Sequence, residues 1–301
     1  MFIIKNRNIF FTLTGLVIFV SLASLLFFGL PLGTDFTGGI LVEVRYDAVR
    51  PDASLVMSSL DTRITEYSLR DIGGNGYMLR AGNLTPESRA ALQNVFSLDG
   101  AYGATIVKLT EVGPTIGAEL RNKAIVALAL VLCAILLFIA FAFRKVSEPV
   151  SSWMYGFIAL IALLHDVIVP VGLYAAFAHF FGAQVDTLFV TAVLTILGFS
   201  VHDTIVVFDR IRENLRRNRE GGKREDFEMT AGKSIGQTFV RSINTTVTVL
   251  VALITLFFFG PESTQNFSLT LIVGVVAGTY SSIALATPLL VVWEKYRARR
   301  S

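Results

Sequence analysis

Six apolar stretches constrain this chain more than any other feature. They cover residues 9–30, 124–143, 152–178, 185–208, 235–259 and 267–293. A helix needs about 20 mostly apolar residues to cross a hydrocarbon core about 30 Å thick, and each stretch meets that length. The chain is 53% hydrophobic and 16% charged, whereas a globular protein carries about a quarter charged residues. Mean hydropathy is +0.63. One soluble core cannot hide that much apolar surface, which leaves a polytopic α-helical membrane protein with six transmembrane helices. Lys5 and Arg7 precede the first stretch as they would precede a signal peptide. The run is too long for one and ends without a small-residue cleavage site, so it reads as a retained span.

The connecting segments set the orientation. Lys5 and Arg7 precede the first span, and Arg144 and Lys145 follow the second. The segment 209–234 carries eight basic residues, and the tail after 293 carries Lys295, Arg297, Arg299 and Arg300. All fall on one side of a six-span plan, while the turns 179–184 and 260–266 on the other side carry none. Basic residues favour the cytoplasmic side, so both termini are expected there, with 209–234 as a cytoplasmic loop. The pI near 9.0 therefore reports topology and anionic headgroups of the lipid bilayer, and no nucleic acid partner is expected. The single cysteine, Cys133, excludes an intrachain disulfide and a paired-cysteine metal site.

Residues 31–123 separate the first two spans and form the expected extracytoplasmic domain, which divides the chain into 1–30, 31–123 and 124–301. This segment holds nine basic and eleven acidic residues, close to neutral. Apolar alternation predicts strands over 40–46, 64–70, 77–81 and 104–109. Gly73-Gly74-Asn75-Gly76 marks a hairpin, and Pro51 and Thr85-Pro86 mark two helix starts. Strand, helix, strand, strand, helix, strand is the order of an α+β ferredoxin-like layer.

Ionisable residues inside a span cost several kcal/mol unless they are paired or face a cavity, so they are functional candidates. Asp166, Asp203 and Arg241 are the strong ones, with His165 and His202 beside the aspartates. Asp203 lies six residues before Asp209, and Arg241 lies six after Ile235. Each is thus about 9 Å inside its span, and the two are expected to pair as a proton relay across neighbouring helices. Asp166 is the competing relay residue. On the fifth span Arg241, Thr245, Thr248, Ala252 and Thr255, with Asn244 adjoining, share one face. That polar stripe is expected to line the bundle interior. A second stripe runs through Thr187, Thr191, Thr195, Gly198 and His202, and Gly274 and Gly278 offer a close-packing face on the last span. The chain carries no phosphate-binding loop, nucleophile elbow or three-histidine cluster, so neither enzymatic activity, a metal nor a cofactor is expected.

Several motifs resemble one family. Gly33-Thr34-Asp35-Phe36-Thr37-Gly38-Gly39 follows the first span, and Val112-Gly113-Pro114-Thr115-Ile116-Gly117-Ala118-Glu119-Leu120 precedes the second. The run from Gly198 to Asn214 (GFSVHDTIVVFDRIREN) and the run Phe239-Val240-Arg241-Ser242-Ile243-Asn244-Thr245-Thr246 complete the set. Together they resemble the SecF branch of the SecD/SecF family of the bacterial protein-export apparatus, within the resistance–nodulation–division permease superfamily. His202 departs from the small polar residue expected there. The resemblance implies a proton-driven subunit of the inner membrane that assists late steps of polypeptide export. It implies SecD as the obligate partner in a twelve-span unit, the SecYEG channel and SecA as functional partners, and an unfolded exported polypeptide as substrate. By motif position it puts Asp203 and Arg241 on the family's membrane charge pair, and Gly33, Asp35, Phe36, Gly38 and Gly39 in a junction loop of structural role. Two other readings stand beside it: half of a small-molecule exporter of the same superfamily, and a non-transporting membrane scaffold with a static ion pair.

Overall fold

The computed structural model describes residues 2–142, 150–222 and 225–299. Phe143, Arg144, Lys145, Lys223, Arg224 and Arg300 lie outside the described residues. The chain starts with a short helix, α1 (Phe2–Lys5), followed by α2 (Arg7–Phe28) and a single turn, α3 (Thr34–Thr37). The outer segment then runs β1 (Gly39–Tyr46), α4 (Ala53–Asp61), β2 (Tyr67–Ile72), β3 (Gly76–Ala81), α5 (Pro86–Ala90), α6 (Leu92–Ser97) and β4 (Ala104–Val112). Long helices follow: α7 (Pro114–Ala142), α8 (Ser152–Phe181), α9 (Thr187–Glu220) and α10 (Phe227–Phe259). The last span is α11 (Gln265–Ser281), a π-helical turn (Ser282–Ala286) and α12 (Thr287–Ala298). Six helical segments are long and apolar enough to cross a membrane. The described residues divide into two compact units, one of them Leu32–Val126 with Gln184–Thr187, the other the remainder of the membrane helices.

The sheet of the outer unit has the order β2-β3-β1-β4, antiparallel throughout, as in a ferredoxin-like layer. The predicted alternation points one side of each inner strand at the core. Val42, Val44, Leu79, Val56, Leu60 and Phe96 are all buried there. Each such side chain contributes roughly 1.5–3 kcal/mol. Tyr46 and Tyr77 meet edge to face at 5.9 Å, and their hydroxyls donate to the Phe96 and Pro51 carbonyls at 3.0 and 2.7 Å. Thr85 Oγ1 accepts from the Ser88 backbone amide, the cap expected from Thr85-Pro86.

The junction loop is tied tightly within this unit. Gly38 and Gly39 have φ of 79° and 123°, conformations that suit glycine. A Cβ on Gly38 would meet Pro114 Cα at 2.7 Å, and a Cβ on Gly117 would meet the Gly38 amide nitrogen at 2.8 Å. Phe36 is buried. The Gly33 amide donates to the Val185 carbonyl at 2.7 Å. Asp35 Oδ2 accepts from both the backbone amide and the hydroxyl of Thr187, at 2.9 and 2.7 Å. Asp35 thus caps the start of α9 from a site more than 150 residues away in sequence.

Helix ends differ from the sequence reading in a consistent direction. Helix α9 continues past Phe208 to Glu220, and α10 starts at Phe227 rather than Ile235, so the expected loop 209–234 is largely helical. The 34 residues of α9 span about 51 Å, well beyond a hydrocarbon core. Ion pairs one turn apart extend it: Arg210–Glu213 at 2.7 Å, Arg217–Glu213 at 2.5 Å and Arg216–Glu220 at 2.7 Å. Asn214 Nδ2 fastens the two extensions together by donating to Ser234 Oγ and Gln237 Oε1. Helix α7 likewise starts at Pro114, ten residues before the apolar run, because proline suits a first helical turn.

In the membrane unit small residues set the contacts. The buried positions of α2 are Thr14, Ser21 and Ser24, while Leu13, Leu16, Phe19, Leu22, Leu26 and Phe27 are exposed. This inverts the soluble pattern, as expected where lipid is the solvent. Ser24 Oγ donates to the Gly172 carbonyl of α8 at 2.7 Å. Gly274 and Gly278 of α11 pack against Ile196 and Ser200 of α9. That glycine face is therefore consumed within the chain and is not a surface for a partner.

Candidate functional site

Two buried carboxylates lie among hydroxyl groups where α8, α9, α10 and the last span converge. Asp166 of α8 is fully buried. Its Oδ1 meets His165 Nδ1 at 2.8 Å, and its Oδ2 accepts from Ser200 Oγ of α9 and from Ser281 Oγ of α11, the latter at 2.7 Å. The His165 ring lies 6.0 Å from that of Tyr280. Both oxygens of Asp166 are thus satisfied, as a buried polar group requires.

Asp203 of α9 differs. Its Oδ1 accepts from Ser242 Oγ of α10 at 2.5 Å. Its Oδ2 is buried and has no hydrogen-bond partner among the described residues. Ser282 Oγ lies within reach of the Asp203 carboxyl without meeting it in hydrogen-bond geometry, and His202 and Asp166 are its titratable neighbours. The hydroxyl lining continues on both sides: Thr204 Oγ1 and Ser282 Oγ lie 2.9 Å apart, and Thr246 and Thr279 hydroxyls 2.6 Å apart. A half-satisfied carboxyl in a low-dielectric bundle is a group whose proton affinity responds to small movements of its neighbours.

The expected Asp203–Arg241 pair is not formed within the chain. Arg241 is exposed and has no ion-pair partner among the described residues, while its neighbour Ser242 is buried against Asp203. Ser242, one residue on and rotated by about 100° around α10 from Arg241, makes the contact with Asp203 at that level. A serine fits this dry contact at small desolvation cost, whereas a guanidinium would not. The polar stripe Arg241, Asn244, Thr245, Thr248, Ala252 and Thr255 faces outward rather than into the bundle of this chain. Thr191, Thr195, Gly198 and His202 on α9 are exposed in the same way.

Residues 93–296 match the model of the protein export membrane protein SecD/SecF C-terminal family, and residues 23–48 match the SecD/SecF GG motif. The chain belongs to the SecD/SecF family. Protein translocase subunit SecF of Thermobaculum terrenum is 43% identical over 305 residues, which covers 97% of this chain and 93% of that protein. The SecF subunit of Pseudomonas aeruginosa is 33% identical over 95% of this chain and 89% of its own length. The crystal structure of SecDF from Thermus thermophilus, a translocon-associated membrane protein, superposes with a TM-score of 0.83 at 28% identity. This chain is covered to 97% in that comparison and spans 38% of the SecDF chain.

Within the SecD/SecF frame, the GG motif is the pair Gly38-Gly39 with its two positive φ angles, and Asp35 of the same segment is the α9 cap. Sequence reasoning missed Ser200, Thr204, Ser242, Ser281 and Ser282, which supply most of the site's hydrogen bonds. Their signal was faint, because serine is common in membrane helices. The adjacent pair Ser281-Ser282, following Thr279-Tyr280 at the helical spacing of Gly274 and Gly278, was the one legible hint.

Proposed function

We propose that this chain is the SecF-type half of a SecDF unit that uses the proton-motive force to assist late steps of Sec-dependent protein translocation across the bacterial inner membrane. Both termini are cytoplasmic in this reading, and the 31–123 segment acts outside on the unfolded exported polypeptide, beside SecYEG and after SecA. One observation carries it: Asp203, on the family's fourth-span motif, is buried with one oxygen on Ser242 and the other unpaired. Such a carboxyl suits reversible protonation, and intramembrane carboxylates mark proton relays. Asp166, with hydrogen-bond partners at both oxygens in His165, Ser200 and Ser281, suits an anchor better than a carrier.

The outward polar faces support a SecD partner. An arginine and a histidine against lipid cost free energy, so the exposed faces of α9 and α10 that carry His202 and Arg241 call for protein cover. Arg241 then meets the second half of the unit, while its neighbour Ser242 holds Asp203, and a shift of α10 moves both. The test is proton-driven completion of export in inverted membrane vesicles holding the assembled complex. Asp203→Asn and Arg241→Met each abolish the proton-motive-force contribution and leave assembly intact. If Asp203→Asn keeps that contribution and Asp166→Asn loses it, the carrier is Asp166.

A further inference from the structure

The last span breaks its regular helical bonding where it passes the two carboxylates. Residues Ser282–Ala286 form a π turn, a feature that concentrates at functional sites. The residues on either side of the break hold different partners. Ser281 Oγ donates to Asp166 Oδ2 at 2.7 Å, and Asp166 is fixed in turn by Ser200 and His165. Ser282, one residue on, is fully buried and within interaction range of Asp203. Its hydroxyl donates to the Gly278 carbonyl at 2.9 Å and shares a 2.9 Å contact with Thr204. The Ser282 carbonyl is met by Thr287 Oγ1 at 3.2 Å, a side-chain bond spanning the turn. The span is thus pinned before the break, and the hydroxyl next to Asp203 has an alternative acceptor in its own helix.

We propose that Ser282 is a positioning residue for Asp203: its hydroxyl exchanges the Gly278 carbonyl for Asp203 Oδ2 when Asp203 loses its proton, and returns when Asp203 regains it. This rests on the reading of Asp203 as proton carrier. An ionised carboxylate in a dry bundle needs a donor at each oxygen, and Ser242 serves only Oδ1. Ser282 surrenders no proton in the exchange and only turns its O–H. When it turns, the Gly278 carbonyl loses one of its acceptances, and the π turn has the backbone slack to follow. The protonation state of α9 is thereby written into the last helix, while Ser281 on Asp166 keeps the preceding turn fixed. The titratable groups around Asp203 are His202 on its own helix and Asp166 with His165 on α8, and Arg241 of α10 faces away.

The experiment measures the pH dependence of proton-driven export by the complete complex, with Ser282→Ala, Ser282→Cys and Ser281→Ala. Losing a hydrogen bond to a charged group moves the half-maximal pH by about one unit or more for Ser282→Ala. Ser282→Cys, a similar shape with a weaker donor, moves it part of the way, and Ser281→Ala leaves it in place. If Ser282→Ala does not assemble, the Ser282→Cys shift alone decides. A half-maximal pH unchanged within about 0.3 unit in the variant that assembles overturns the role of Ser282. Asp203→Asn in the same membranes separates the two readings. If it keeps proton-driven export, the carrier assignment fails, and if only the Ser282 shift is missing, that assignment stands and the exchange does not.

Discussion

The packing of α9 on α11 gives the most quantitative prediction. An added Cβ at Gly274 would overlap Ile196 Cδ1 and Cγ1 and stand 2.9 Å from Ile196 Cγ2, all atoms of a side chain that is itself buried. Replacing glycine by alanine in a helix is worth about 1 kcal/mol in its favour. Overpacking a dense contact costs about 1–3 kcal/mol, so Gly274→Ala destabilises the fold by up to about 2 kcal/mol net. Ile196→Ala alone leaves a cavity and costs about 2–5 kcal/mol. In the double variant the new methyl occupies part of the space Ile196 vacates, so the combined cost falls below the sum by at least about 1 kcal/mol. Gly172 behaves differently. Its added Cβ would meet Ser21 O and Cβ at 2.5 Å and Ser21 Cα at 2.6 Å, so backbone blocks it, and trimming Ser21 to alanine relieves nothing. The assay is equilibrium unfolding of the four single and two double variants in bicelles. Additivity within about 0.5 kcal/mol for the Gly274–Ile196 pair, or strong rescue for the Gly172–Ser21 pair, would refute this account of the helix contacts.

Two further outcomes follow from the outer unit. Asp35→Ala removes the cap on Thr187 and lowers stability by roughly 0.5–2 kcal/mol, whereas Asp35→Asn, which keeps an acceptor, costs a fraction of that in the same unfolding measurement. Burial, with Tyr77 beside it adding, pushes the Tyr46 hydroxyl up from 10.0 to about 12. The neutral phenol is thus favoured in the folded state, and its contribution of up to about 3 kcal/mol is complete below pH 10 and lost as pH rises through about 12. Tyrosinate absorbance followed with circular dichroism tests this, and ionisation of Tyr46 near pH 10 with the fold intact would contradict it.

What was legible in the sequence follows from which periodicities are local. Strand alternation over Gly39–Tyr46 and Gly76–Ala81 marked the core face of the sheet, because a buried strand face repeats every second residue. The six spans were legible because lipid demands length and apolarity. Their ends were not, since charged residues of Arg210–Glu220 read as loop while their one-turn ion pairs carry the helix into water. The candidate site was half legible. Asp203 and Asp166 stand out as charges in apolar runs, and the depth of the fifth-span contact came from counting residues. The azimuth did not, because nothing in the stripe Arg241–Thr255 says whether it faces this chain or another. The glycines of the last span show the same limit: Gly274 and Gly278 mark a close contact without naming Ile196 and Ser200 as its other side.

The central claim is that Asp203 carries the proton, and proton flux tests it most directly. The complete complex is reconstituted in liposomes with a pH-sensitive dye inside, and a pH step is applied while an exported polypeptide is engaged. The account predicts dye-reported proton entry in the native complex and in Asp35→Asn, and loss of that entry in Asp203→Asn with the complex still assembled. Undiminished proton entry in assembled Asp203→Asn would contradict it.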